Sequence, residues 1–94
     1  MKEHLLSLVT SENGDQVFLH VDLAGVTKLI SELNYIRKEL EEKDCPHSHL
    51  FSEDWGGWEL TATKLKDQKD EINLVHHLKI YGWSEEWKNK YDLV

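Results

Sequence analysis

The chain has 94 residues, which is room for one domain and one modest core, since a domain of this size buries roughly 60–65% of the surface its unfolded chain exposes. Eighteen Asp and Glu against eleven Lys and Arg give a formal net charge of −7. That balance argues against nucleic acid and anionic membrane surfaces as partners, because both select clustered cations. Cys45 is the single cysteine, so a disulfide scaffold is excluded and a reducing cytoplasm is the expected compartment. The run Leu5, Leu6, Leu8, Val9 is too short and too interrupted for a signal peptide or a membrane span. A basic protein partner, by contrast, is steered toward an acidic surface.

In chain order, residues 4–10 read as a strand and Val17–Val21 as its return, with Asn13-Gly14 supplying the turn between them. Alternation places Val17, Leu19 and Val21 on one face and Phe18 and His20 on the other. Asp22 stands at a helix N-cap. Leu23, Val26, Leu29, Ile30, Leu33, Ile36 and Leu40 then recur at spacings of three and four, which predicts one apolar stripe turned to a sheet, with Lys28 and Glu32 on the solvent side. Gly25 costs about 1 kcal/mol in helix propensity and is explained by close packing on that sheet. Pro46 stops the helix near residue 43. Residues 47–52 predict a third strand, 53–57 a turn, 58–65 a fourth strand, 66–71 a charged turn and 72–83 a long fifth strand. Ser84 caps a short closing helix. The expected fold is therefore a single α+β domain over residues 1–94: an antiparallel sheet of about five strands, ordered β-β-α-β-β-β and ending in a meander, with one main helix packed on one face.

Six histidines raise the question of a metal. His47 and His49 share a strand side, but of the adjacent His76 and His77 only one can join them. Three imidazoles from neighbouring strands would suit zinc. Against this stand the missing second cysteine, the missing HExxH spacing and the lack of a fixed carboxylate ligand. No metal or other cofactor is expected; a small histidine-based metal-binding protein or metal-dependent enzyme is the alternative. Catalysis is not expected, since nothing around Cys45 and His47 marks an oxyanion hole, and Trp55-Gly56-Gly57-Trp58 lacks the length and lysine of a phosphate loop. The aromatics say more. Trp55 and Trp58 bracket a Gly-Gly turn and stand among Glu53, Asp54 and Glu59, a composition that fits either a binding hot spot for a basic surface or a Trp pair packed under the helix and over the sheet.

The run from His49 to Thr61 (HLFSEDWGGWELT) and the block from Leu74 to Trp83 (LVHHLKIYGW) resemble a family of immunity proteins from bacterial polymorphic toxin systems, the one numbered thirty-two among them. Val21 to Ile30 is similar to that family's strand-to-helix junction, and the likeness runs from about Val17 to Trp83. Trp58 departs from it, standing where a third small residue is expected. The resemblance implies a cytoplasmic protein that binds and neutralises a cognate toxin. Such proteins commonly block nucleases, whose substrate sites are basic. On this reading Glu53, Asp54 and Glu59 meet toxin cations, Trp55 and Trp58 anchor, and His49, His76 and His77 hold the sheet together or line the contact. A third reading pairs two copies of the chain through a sheet edge or an uncovered face.

Overall fold

The computed structural model describes residues 4–42, 44–62 and 69–92. Its elements are β1 (Leu6–Thr10), β2 (Val17–Val21), α1 (Leu23–Glu41), β3 (His47–Phe51), a 3-10 turn (Glu53–Trp55), β4 (Asn73–Leu74), β5 (His77–Tyr81) and α2 (Glu85–Lys90). The fold is α+β with antiparallel strands and one main helix. The five strands form two sheets, ordered β2-β1-β4 and β3-β5, rather than the single sheet expected.

The first hairpin is in register from Leu6 against Val21 to Thr10 against Val17. Its turn is wider than a two-residue Asn-Gly turn. Only Gly14 of the pair takes a positive φ, of 78°, and the loop closes instead around Ser11, whose hydroxyl donates to Asp15 at 2.9 Å and accepts from the Gln16 N–H at 3.1 Å.

Residues 72–83 do not run as one strand. Ile72 and Val75 donate their N–H groups to Thr10 and Leu8 of β1, whereas the His76 carbonyl accepts from Ser52 at the end of β3 and β5 continues along β3. The break at Val75–His76 is where the chain changes sheets, so the expected meander is not formed. The expected fourth strand is also absent over residues 58–62, and 63–65 lie outside the described residues. Leu60 makes one parallel bridge to Ser52 and Thr61 donates to the Leu6 carbonyl at 2.8 Å, so this stretch straps the two sheets together. Leu6, Leu8, Leu50 and Leu60 are buried between them, with Val21, Val75, Leu78 and Ile80 packed around. Fully burying one such leucine contributes about 1.5–3 kcal/mol.

Helix α1 is rotated from the expected orientation. Ile36 is buried, but Leu23, Ile30 and Leu33 are exposed, Leu23 by 83%. Lys28 and Glu32, expected outside, face β3: Glu32 accepts from the Ser48 hydroxyl and from Lys28 Nζ. The Ser48 hydroxyl on β3 ties this carboxylate, and with it the helix, to the sheet, while Lys28 from the same helix holds the carboxylate in place. Asp22 caps the helix, accepting from the Gly25 N–H at 2.7 Å.

A Cβ on Gly25 would fall 1.8 Å from the Leu5 carbonyl oxygen. Gly25→Ala is therefore expected to destabilise by about 1–3 kcal/mol, despite gaining about 1 kcal/mol in helix propensity; urea unfolding measures the net sign. The Asp22 carboxyl is held below its ordinary value of 3.8 by the Gly25 N–H, and Glu32 below 4.5 by Ser48 and Lys28. Folded-state values below the unfolded ones mean that this stabilisation is complete above about pH 5 and is lost as pH falls through the lowered values. Denaturation midpoints between pH 6 and pH 3 are expected to fall less in the double variant Asp22→Asn/Glu32→Gln than in the parent.

Candidate functional site: the outer face of the second sheet

The alternation of β3 and β5 divides their side chains into two sets. Ser48 and Leu50 point inward with Leu78 and Ile80, their register partners. His47, His49 and Phe51 point outward with Tyr81, Lys79 and His77. Helix α1 lies on the inner side, as the Glu32–Ser48 bond shows. The outer side carries a row of rings.

The row is continuous. Trp83 stacks near Tyr81 at 6.3 Å between centroids, Tyr81 meets His47 at 6.4 Å, and His47 stands edge-on to His49 at 5.1 Å. His49 lies nearly parallel to His77 at 5.1 Å, and His77 stacks on Phe51 at 4.3 Å. Trp55 reaches the end of the row from the 3-10 turn, 6.4 Å from His77. Exposure is 60% at Trp55 and 56% at Tyr81, so the row is open rather than a core. His49 Nδ1 and His77 Nε2 share a hydrogen bond of 2.9 Å. The His49 imidazolium is disfavoured by desolvation among these rings, then by Lys79, His47 and His77, which lowers its pKa.

The expected site residues separate into groups. His49, His77 and Trp55 join the row, and Glu53 and Asp54 stand exposed beside it on the 3-10 turn. His76 is turned away from it: its Nδ1 bonds the Ser52 hydroxyl at 2.7 Å, and its ring lies parallel to Trp55 at 6.0 Å. Trp58 is 66% exposed but lies toward the helix, edge-on to His4 and under Lys28 Nζ at 4.7 Å. Glu59 bonds its own loop, accepting from the Trp58 N–H at 2.8 Å and the Phe51 N–H at 3.3 Å. Phe51, Tyr81 and His47 belong to the row although the sequence reading had not placed them in the binding site; the signal was the ring-bearing alternation at 47, 49 and 51 and at 77 and 81. The three imidazoles do not converge: among the described residues, Glu39, Glu42 and Asp44 form the group of three whose ligand atoms lie within 4.8 Å of one another, and no histidine belongs to it.

Gly56, with φ 88°, ends the 3-10 turn. Gly57 then passes so close to Phe51 that a Cβ would sit 2.4 Å from the Phe51 Cβ. These two glycines bring Trp55 back over the sheet. Comparison with known proteins finds no matching family model, no matching curated protein and no matching solved structure. Among the described residues, no helix is long and apolar enough to cross a membrane.

Removing the Glu59 carboxylate leaves the Trp58 N–H and the Phe51 N–H at the end of β3 without this acceptor. Glu59→Ala is expected to cost about 0.5–1.5 kcal/mol by chemical denaturation, an effect on folding that precedes any on binding.

Proposed function

We propose that the protein is a binding module that neutralises a cognate bacterial toxin, in the manner of the immunity proteins it resembles, and that the outer face of β3 and β5 is the docking surface. The observation that carries this reading is the open row from Trp83 through Tyr81, His47, His49, His77 and Phe51 to Trp55. Rings standing uncovered on a rigid sheet offer large contact area at low entropic cost, and aromatic residues dominate interface hot spots. A row of this kind is stronger support than the two turn tryptophans alone, because main-chain pairing holds its five members on β3 and β5 in place.

Charge supports the class of partner. The net charge is −7, and Glu53 and Asp54 at one end of the row, with Glu85 and Glu86 in the first turn of α2, are exposed acids. A cationic toxin surface, such as the substrate cleft of a nuclease, would be drawn to them, with aromatic contact following encounter. Trp55 is the principal anchor in this reading. Trp58 and Glu59 shape the loop, and His76 supports Trp55 from behind.

The test uses the toxin-like C-terminal domain encoded by the adjacent upstream gene, if the locus carries one, as the binding probe. Trp55→Ala is expected to weaken binding by about 2 kcal/mol or more, and Trp58→Ala by less. The association rate should fall as salt rises, and more gently in Glu53→Gln/Asp54→Asn. Unchanged affinity in both Trp55→Ala and Tyr81→Ala would remove this face from consideration, and a locus without a toxin domain would remove the toxin as partner.

A further inference from the structure

His49 and His77 lie diagonally across the β3–β5 ladder, two register positions apart on the same face. Their facing nitrogens, Nδ1 of His49 and Nε2 of His77, are 2.9 Å apart. Two imidazole nitrogens bound at 2.0–2.1 Å to one metal ion, at angles between square and tetrahedral, stand roughly 2.9–3.4 Å from each other. The pair is thus already at the spacing of two cis ligands, with one proton between them. We propose that His49 and His77 form a surface chelate for a late first-row divalent cation, favouring Cu²⁺ over Ni²⁺ and Zn²⁺ as the stability order of nitrogen ligands requires. The remaining positions are filled by water.

Three neighbours bear on this arrangement. Phe51 stacks on His77 at 4.3 Å and lies parallel to His49 at 5.7 Å, so both rings are backed by the same apolar wall. Lys79, the register partner of His49, carries its ammonium over the Tyr81 ring at 4.6 Å; desolvation among the rings, then this charge, disfavours the imidazolium form of His49, and the same charge also opposes a bound cation. His47 stands edge-on to His49 at 5.1 Å between centroids and lies outside the proposed chelate. The proton balance is simple. In the neutral pair one ring carries its N–H in the shared bond. On ligation that proton moves through solvent to the other nitrogen of the same ring, so both facing lone pairs turn to the ion and no net proton is released. Protonation of either ring competes with the metal, so affinity falls as pH drops through the imidazole range.

The inference does not depend on a toxin partner. The test is titration of untagged, full-length protein with Cu²⁺ and Ni²⁺ at pH 7.4, read by calorimetry, with electron paramagnetic resonance of the Cu²⁺ form. One ion per chain is expected, with nitrogen hyperfine structure from two imidazoles. His49→Ala and His77→Ala are each expected to weaken binding by about tenfold or more, since loss of an outer-shell partner alone costs that much. His76→Ala, whose ring is bonded to Ser52, should bind as the parent does. Circular dichroism of each variant separates unfolding from ligand loss, and the hyperfine pattern of the parent needs no variant at all. Absence of binding, or a signal with oxygen ligands only, overturns the proposal. So does undiminished binding in folded His49→Ala and His77→Ala, which would move the ion elsewhere, for instance to Glu39, Glu42 and Asp44.

Discussion

The change of sheet at Val75–His76 is the constraint on which the remaining architecture depends. On one side of it the chain donates to Leu8; on the other it accepts from Ser52. The two sheets are joined there by main-chain bonds, and the buried leucines close the space between them. The switch also sets the phase of β5. Side chains alternate along a strand, so a slip of one residue would send Leu78 and Ile80 to solvent and His77 and Tyr81 into the core. The existence of an outward row of rings is thus decided at the residue that precedes β5.

Polar pairs perform a comparable task around the core. Glu32 anchors α1 to Ser48, Glu59 gathers its own loop, and His20 pairs with the buried carboxylate of Glu71 across the first sheet. Three carboxylates that would pass for surface charge on composition alone are used as structural acceptors. The acidic surface available to a partner is correspondingly narrower than the net charge suggests; Glu53 and Asp54 are its exposed members beside the aromatic row.

Local patterns in the sequence reached the hairpin strands, the Asp22 and Ser84 caps, the extent of α1 and the position of β3, because each is dictated by neighbours close in the chain. What the sequence did not carry was decided by distant contacts. Residues 72–83 are rich in β-branched and aromatic residues from end to end, so nothing in them marks where the partner strand changes. Residues 58–62 alternate as a strand does, yet their hydrogen bonds go to Phe51 and Leu6. The rotation of α1 followed Ser48, sixteen residues beyond Glu32. The site was legible in part: the histidine alternation was plain, but its continuation through Phe51 and Tyr81 required the β3–β5 register. Trp55 and Trp58, adjacent across two glycines, fell on different sides because Gly57 must pass against Phe51.

Six apolar side chains are buried in the described core, namely Leu6, Leu8, Val9, Ile36, Leu50 and Leu60. A core so small leaves a slender margin between folded and unfolded chains. Anything that binds only the folded form widens that margin, by about 2.7 kcal/mol when present at a hundred times its dissociation constant. Copies engaged by a partner would therefore outlast idle ones wherever proteases sample the unfolded state, and the cell's supply of this protein would follow demand without a dedicated regulator.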